Sequence, residues 1–387
     1  MAEENISTTA AADENGTRKR LLVRLLAACL VIAVVYTLYW LFVARYRVDT
    51  DNAYVQGNVV QITPQVGGTV VAVDADDTDY VKAGQMLVRL DPVDARVALD
   101  QAEAQLAGTV REVRGTFNAG TALQTEVKTR ETDLARREPL VATGAVSKEE
   151  VLHLQNALTD ARERLAQNQA LIEGTSPENN PRVLAAAAHA REAYLAWKRS
   201  GIAAPIAGTV ARRSVQVGQR VQAGVPLMAV VPMDQMWVDA NFKESQLEKL
   251  RVGQPVTLTA DIYGSHLEYK GRVVGLGAGT GAAFSLLPAQ NATGNWIKIV
   301  QRLPVRIALD PEELKKHPLR VGLSMDVVVD VHDQSGKAVT DGSTNQPAVE
   351  TNVYDALGAE ADAHVNKIVS VNLGHKVTLP VAQPAAH

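Results

Sequence analysis

Residues 62–92 read ITPQVGGTVVAVDADDTDYVKAGQMLVRLDP, and residues 202–232 read IAAPIAGTVARRSVQVGQRVQAGVPLMAVVP. The two segments align without a gap at an offset of 140 (202 − 62), and nine of their 31 paired positions are identical. Each copy alternates apolar and polar residues between glycines, a pattern that predicts short strands joined by tight turns. The glycines expected in these turns are Gly68, Gly84, Gly208 and Gly224. Because so few strands cannot bury a face alone, the copies should pair into one small β-sandwich.

The overall composition limits the class of protein. The chain has 387 residues and a formal net charge of −4 at pH 7, which argues against a broad basic surface for nucleic acid. Only 4% of its residues are aromatic and alanine is abundant, which favours helical rods over one large core. Cys29 is the only cysteine, so the sequence excludes internal disulfides and a zinc–thiolate cluster.

An apolar segment near the N-terminus has the length of a membrane anchor. Residues 25–44 contain no charge, and these 20 residues span about 30 Å as a helix, enough for one bilayer crossing. Basic residues are more numerous before the segment than after it: Arg18, Lys19, Arg20 and Arg24 precede it, and Arg45 and Arg47 follow. The positive-inside rule then predicts a cytoplasmic N-terminus and a body outside the cytoplasm. A cleaved signal peptide is the alternative, but the segment is longer than a typical signal core.

The 109 residues between the two copies, 93–201, have the pattern of a helical hairpin. On the outgoing arm, apolar or small residues recur at every seventh position: Leu99, Leu106, Val113, Gly120, Val127 and Leu134. On the return arm, the same period connects Val151, Leu158, Leu165 and Ile172. A break at 173–181 interrupts the return arm, which resumes at 182–200. The two arms are expected to pack as an antiparallel coiled coil.

Local signals mark the ends of the arms. At the base, Asp91 is a predicted N-cap with Pro92 at the first helical position, and Gly201 is a predicted C-cap.

At the other end, Pro139 disfavours continuation of the outgoing helix. Ser147 and Glu150, three residues apart, form a capping-box sequence that starts the return arm. The tip of the hairpin is therefore expected at about residues 138–147.

Features in three parts of the chain resemble a known family. The repeat resembles the half-motifs of a lipoyl or biotinyl domain. The Thr-Asp-Asn-Ala-Tyr-Val run at 50–55 resembles the lead-in segment of membrane fusion proteins, the HlyD-like periplasmic adaptors. Residues 279–307 are similar to the corresponding segment of the EmrA type, which serves major-facilitator exporters. The chain is therefore identified as a member of the EmrA-type membrane fusion proteins.

This resemblance implies a mixed α+β, elongated fold. Its parts are a single N-terminal transmembrane helix, a split lipoyl/biotinyl-like β-sandwich interrupted by the α-helical coiled-coil hairpin, and an antiparallel β-barrel completed by a strand near residue 50. The expected divisions are 1–24 for a cytoplasmic segment, 25–44 for the transmembrane helix, 45–61 for the first barrel strand, 62–92 and 202–232 for the half-motifs, 93–201 for the hairpin, 233–331 for the barrel, and 332–387 for a C-terminal linker and tail. A short helix is expected near 355–371.

The resemblance also implies a function. Adaptors of this family link an inner-membrane major-facilitator drug exporter to a TolC-type channel of the outer membrane for multidrug efflux. They assemble as homo-oligomeric rings such as hexamers. The expected location is the inner membrane of a Gram-negative bacterium, with one membrane pass and the bulk of the chain in the periplasm. Arg136, Leu140 and Ser147 match the Arg-x3-Leu-x6-Ser pattern that the family presents to the channel, and are therefore the expected contact residues.

Two alternative functions remain open at this point. One is an adaptor for an ABC-driven type I protein secretion system. The other is a lipoyl or biotinyl carrier, although residues 93–201 stand where a carrier has its modified lysine, and Lys82 is the nearest lysine in the first copy.

No pattern in the sequence indicates catalysis. The glycines at 275–281 are not followed by a dinucleotide-binding helix, and Met228, Met233 and Met236 lack a fourth soft ligand nearby. The histidines show no HxxxH or HExxH spacing. We therefore expect no enzymatic activity, cofactor or metal.

Overall fold

A computed structural model of the chain describes residues 14–42, 44–264, 266–281, 283–284, 299–337 and 350–379. The chain forms two compact units, and each unit is built from two separate segments of the sequence. The anchor–barrel unit comprises residues 1–58 and 232–346, and the sandwich–hairpin unit comprises residues 59–231 and 347–387.

The helices of the described residues are α1 (Glu14–Phe42), α2 (Val93–Arg137), α3 (Lys148–Ile172), α4 (Pro181–Lys198), α5 (Pro311–Lys316) and α6 (Asp355–Leu373). The strands are β1 (Arg47–Gly57), β2 (Val60–Ile62), β3 (Gly68–Val73), β4 (Tyr80–Val81), β5 (Met86–Leu90), β6 (Gly201–Ala203), β7 (Gly208–Arg213), β8 (Arg220–Val221), β9 (Met228–Val231), β10 (Met236–Lys243), β11 (Pro255–Ala260), β12 (Glu268–Leu276), β13 (Arg302–Leu309) and β14 (Ser324–Asp330).

The two copies of the repeat form one β-sandwich, as the sequence predicts. Its sheets have the strand orders β2-β9-β7-β4 and β6-β5-β3-β8, so each sheet takes two strands from each copy. The 140-residue offset is preserved in the pairing: Gly68 is opposite Val221, and Gly208 is opposite Val81. Because neither copy can complete a sheet alone, the sandwich exists only when both are present. The strand β2 begins at Val60, which moves the start of the sandwich two residues ahead of the predicted boundary at 62.

The four glycines of the repeat fall into two structural classes. Gly84 (φ +79°) and Gly224 (φ +82°) lie in turns with a left-handed backbone, which glycine adopts at no steric cost. The turn prediction is wrong for Gly68 and Gly208, which begin β3 and β7. A Cβ at Gly208 would lie closer to the Val231 carbonyl oxygen than van der Waals contact allows. Glycine is needed at position 208 because the Val231 backbone passes too close for a side chain, whereas a Cβ at Gly68 would press on the Leu90 side chain at 3.2 Å.

The anchor–barrel unit contains a closed six-stranded barrel with the order β1-β10-β13-β12-β11-β14. The strand near residue 50 closes the barrel, since β1 pairs with both β10 and β14. On β10, alternate residues are buried, from Met236 to Phe242, the period of two expected for a strand with one face in a core. Among the described residues, Leu22–Tyr46 is long and apolar enough to cross a membrane. Much of the family-like run at 279–307 lies outside the described residues.

The base of the hairpin differs from the prediction in its end signals. The side chain of Asp91 does accept a hydrogen bond from the Val93 backbone N–H at 3.0 Å, but the helix cap falls at Pro92, one residue later than predicted. The prediction that Gly201 caps the return arm is wrong. Gly201 begins β6 opposite Arg89 of β5, because the sandwich takes this backbone into a sheet.

The hairpin has two separate cores along α2. In its distal half, Val127 packs with Leu158 and Ala161 of α3. In its basal half, α2 packs with α4 and with α6 of the C-terminal tail. The predicted tail helix is therefore present, but it belongs to the hairpin. Its buried face contributes Ala361, Val365, Val369 and Leu373.

Polar contacts flank this three-helix core. His364 Nε2 lies 2.7 Å from Glu103 Oε1 of α2, and Arg191 of α4 donates to Asp362 at 2.6 Å. The hydrogen bond from Lys198 to Glu360 raises the pKa of the Lys198 ammonium group.

Two valines of α6 provide a matched test of this packing. Val369 is 0% exposed and Val371 is 72% exposed. We expect Val369→Ala to lower the local unfolding free energy of α6 by about 2 kcal/mol through lost burial and the cavity it leaves. Hydrogen exchange of α6 amides, measured by mass spectrometry, should then accelerate by about 30-fold. Val371→Ala gains the same helix propensity without losing burial, so its exchange should be unchanged or slower. Equal exchange in the two variants would show that α6 does not depend on the hairpin core.

Candidate functional site

The tip of the hairpin is a rigid turn rather than an open loop. The helix α2 ends at Arg137, and a short 3-10 segment, Glu138–Val141, carries Pro139 in its first turn. The Leu140 carbonyl oxygen then accepts hydrogen bonds from the Thr143 and Ala145 backbone N–H groups at 3.3 and 3.2 Å. It also accepts a 2.9 Å bond from the Thr143 hydroxyl. This convergence of donors fixes the backbone at the apex.

The return arm starts with half of the predicted capping box. Ser147 caps α3, and its Oγ accepts a hydrogen bond from the Glu150 backbone N–H at 3.0 Å. The Glu150 carboxylate does not complete the box with Ser147. It accepts a 2.6 Å bond from Arg137 at the end of α2, because the antiparallel arms bring that cation to the same level. Glu150 thereby links the two arms at the tip.

The three residues of the family-like pattern are all exposed at this tip. Arg136 lies in the last turn of α2, and its side chain is exposed. Leu140 is 42% exposed, although its carbonyl oxygen accepts three hydrogen bonds. Ser147 uses its Oγ lone pair for the cap, which leaves the hydroxyl proton available to an outside acceptor.

Polar contacts between the two arms position the tip, and the sequence pattern does not predict these contacts. Glu131 of α2 accepts a 2.6 Å bond from Arg162 of α3, and Glu112 accepts a 2.9 Å bond from Arg182 of α4. Residues of α2 with higher numbers contact residues of the return arm with lower numbers, as expected for antiparallel packing. The heptad pattern predicts which face of each helix is buried, but not which charges meet across the arms.

One polar defect lies between the two hairpin cores. A Cβ at Gly120 would meet the Asn168 Oδ1 atom at 2.7 Å, and this buried oxygen has no partner in the described structure. The Asn168 amide donates weakly to the Thr116 carbonyl at 3.3 Å. Gly120, predicted as a heptad position, therefore leaves space for the Asn168 side chain of the opposite arm.

The lysine and the methionines considered as candidate site residues lie in different parts of the fold. Lys82 is an exposed turn residue, and its backbone N–H donates to the Gln85 side chain at 3.0 Å. Met228 is buried in the sandwich, whereas Met236 belongs to the barrel strand β10. Among the described residues, no three or more His, Cys, Asp or Glu side chains lie together so that they could hold a metal ion.

Comparison with known proteins matches two segments of the chain to family models. Residues 93–200 match the EMRA α-helical hairpin domain. Residues 235–330 match the AAEA-like β-barrel domain. Both segments coincide with structural parts described above.

Curated relatives extend over most of the chain. The multidrug export protein EmrA of Escherichia coli (strain K12) is 45% identical over 356 residues, which are 88% of this chain and 91% of that protein. EmrA of Haemophilus influenzae is 40% identical over 96% of this chain and 98% of its own length. The fatty acid resistance protein FarA of Neisseria gonorrhoeae is 46% identical over 81% of this chain and 85% of its length. This chain belongs to the EmrA-type membrane fusion proteins, the periplasmic adaptors of multidrug efflux systems.

Proposed function

We propose that this adaptor links an inner-membrane major-facilitator exporter to a TolC-type outer-membrane channel, and that the hairpin tip is its contact with the channel. The family role is non-catalytic, and we propose that the chain itself performs no chemical step and needs no cofactor. The relatives named above are described as multidrug export and fatty acid resistance proteins. Those names favour export of small molecules over type I protein secretion.

The observation that carries the proposal is the exposed leucine on a fixed backbone at the end of a long arm. The helix α2 has 45 residues and is therefore about 68 Å long. An apolar side chain on a fixed backbone loses less conformational entropy when it binds a partner than one on a mobile loop does. Leu140 therefore meets the physical requirements for a docking residue.

Hydrogen bonds from the neighbouring polar groups would fix the orientation of this contact. A carbonyl or carboxylate of the channel could accept from the Arg136 guanidinium in a charge-assisted hydrogen bond. The Ser147 hydroxyl can donate while it continues to cap α3. These three side chains give a tip contact much smaller than a stable protein–protein interface, which buries about 1,200–2,000 Å².

The small size of one tip contact supports an oligomeric adaptor. Several weak contacts made together gain strength through effective concentration, so a ring of tips could hold a channel that one tip could not. We propose a homo-oligomeric ring such as a hexamer. The excess of basic residues before the anchor supports an orientation with the N-terminus in the cytoplasm and the bulk of the chain in the periplasm.

Leu140→Asp tests the channel contact, with Leu171→Asp as its matched control. Leu171 lies on the same hairpin near the other end of α3, and it is 68% exposed. We expect Leu140→Asp to abolish crosslinking between the tip and the channel and to remove drug resistance, because a desolvated carboxylate replaces the apolar contact. Leu171→Asp should retain both. Expression, membrane anchoring and thermal unfolding should stay near those of the wild type in both variants.

Full resistance and full crosslinking in the Leu140→Asp protein would exclude the tip as the docking site. Ser147→Ala separates the roles less well, because loss of the cap alone costs about 1 kcal/mol of helix stability.

Alkaline phosphatase fusions test the membrane orientation. A fusion after Lys337, beyond the last barrel strand, should be active because the enzyme matures only in the periplasm. A fusion after Arg20, ahead of the apolar segment, should be inactive. The reverse pattern would contradict a cytoplasmic N-terminus.

A further inference from the structure

The strand register places several barrel connections at the end where the membrane anchor arrives. The strand β1 begins at Arg47, directly after α1 and a short turn at 44–46, and Arg47 is opposite Asp330, the last residue of β14. On the next strands, Lys243 at the end of β10 is opposite Arg302 at the start of β13. We call this end of the barrel the anchor rim, formed by the described residues 44–46, 243–254, 277–281, 283–284, 299–302 and 330–337.

The connection between β12 and β13 exposes large apolar side chains at the anchor rim. Phe284, Ile299 and Val300 are all more than half exposed. The described residues of this connection, 277–281, 283–284 and 299–301, have no charged side chain. Several large apolar side chains exposed on one connection indicate a surface that binds something apolar.

Hydrogen bonds hold both described ends of this connection against the barrel. The Gly277 backbone N–H donates to the Pro304 carbonyl at 2.8 Å, and the Glu244 N–H donates to the Gln301 carbonyl at 3.1 Å. Within the connection, the Ala283 N–H donates to the Thr280 carbonyl at 3.0 Å. The exposed apolar residues are thus attached to the rim.

The position of the anchor identifies the occupant of this surface. The apolar anchor segment runs to Tyr46, the residue before β1 begins, so the rim lies at the level where the chain leaves the bilayer. The interfacial region of a bilayer accommodates apolar side chains next to cations that reach phosphate groups. Arg45 and Lys243 are exposed cations at the rim. Glu244 and Asp333 are exposed at the same end, so the apolar side chains rather than net charge support the inference.

We propose that the anchor rim of the barrel rests on the membrane that α1 enters, with Phe284, Ile299 and Val300 inserted among the lipid headgroups. This inference rests on the proposed membrane anchor. It assigns the barrel a lipid-binding surface in addition to the single anchoring helix, and that surface would limit tilting of the barrel against the membrane.

Site-specific fluorescence quenching provides the test, because the other end of the barrel offers a matched control. In a Cys29→Ser background, Ile299→Cys and Ile262→Cys each carry one environment-sensitive fluorophore. The two isoleucines are 65% and 58% exposed, but Ile262 follows β11 at the opposite end of the barrel. The six residues of β11 separate the ends by about 20 Å. The full-length proteins are reconstituted without a transporter in phosphatidylethanolamine–phosphatidylglycerol vesicles, with or without spin-labelled lipid.

We expect the spin-labelled lipid to quench the label at 299 several-fold more than the label at 262. Wild-type protein labelled at Cys29, within α1, is the positive control for the anchor. Strong quenching at Cys29 with equal, weak quenching at 299 and 262 would overturn the lipid contact while leaving the anchor intact. Quenching at 299 that appears only after an exporter is added would also overturn it. Absence of quenching at Cys29 would instead overturn the anchor on which the proposal rests.

Discussion

The two copies of the repeat can bury their apolar faces only against each other, and this constraint determines the path of the whole chain. Each sheet of the sandwich needs strands from both copies, so residues 93 and 201 must come back together after more than a hundred intervening residues. The pairing of β5 with β6, in which Arg89 is opposite Gly201, makes this return. Long insertions add little closure entropy, and here the insert also closes itself, because an antiparallel hairpin starts and ends at the same place.

A second insertion between two paired strands occurs in the same chain. The barrel is interrupted between β1 and β10, which are neighbours with Gly57 opposite Met236. The sandwich follows immediately, with Val60 of β2 opposite Val230 of β9. Each inner part is therefore inserted between two paired antiparallel strands of the part that precedes it. Such nesting allows each part to keep its own hydrophobic core.

The hairpin shows how one long helix can serve two mechanical roles. Near its base, α2 is one of three helices, and the buried residues of α6 cover a side of the core that the return arm leaves open. Farther out, α2 packs with α3 alone through the smaller core around Val127, with the Glu131–Arg162 contact between them. The transition lies near Gly120, where Asn168 leaves an unpartnered oxygen. Firm support is thus concentrated at the sandwich end, while the exposed apex is stiffened locally by its own backbone hydrogen bonds.

The sequence by itself determined the features that depend on neighbours in the chain. Heptad spacing predicted the arms, Pro139 and Ser147 predicted the tip, and the repeat predicted the sandwich, because period, backbone restriction and capping act over a few residues. The tertiary structure decided what depends on distant partners. It placed Gly68 and Gly208 at the starts of strands, beside Leu90 and Val231 of the paired strands, instead of in turns. It also made Gly201 the first residue of a strand and paired the Glu150 carboxylate with Arg137 instead of with its own helix cap. It also packed α6 onto the base of the hairpin. The pattern of α6 indicates an amphipathic helix but carries no information about its partner, since apolar burial is non-directional and any complementary face would satisfy it.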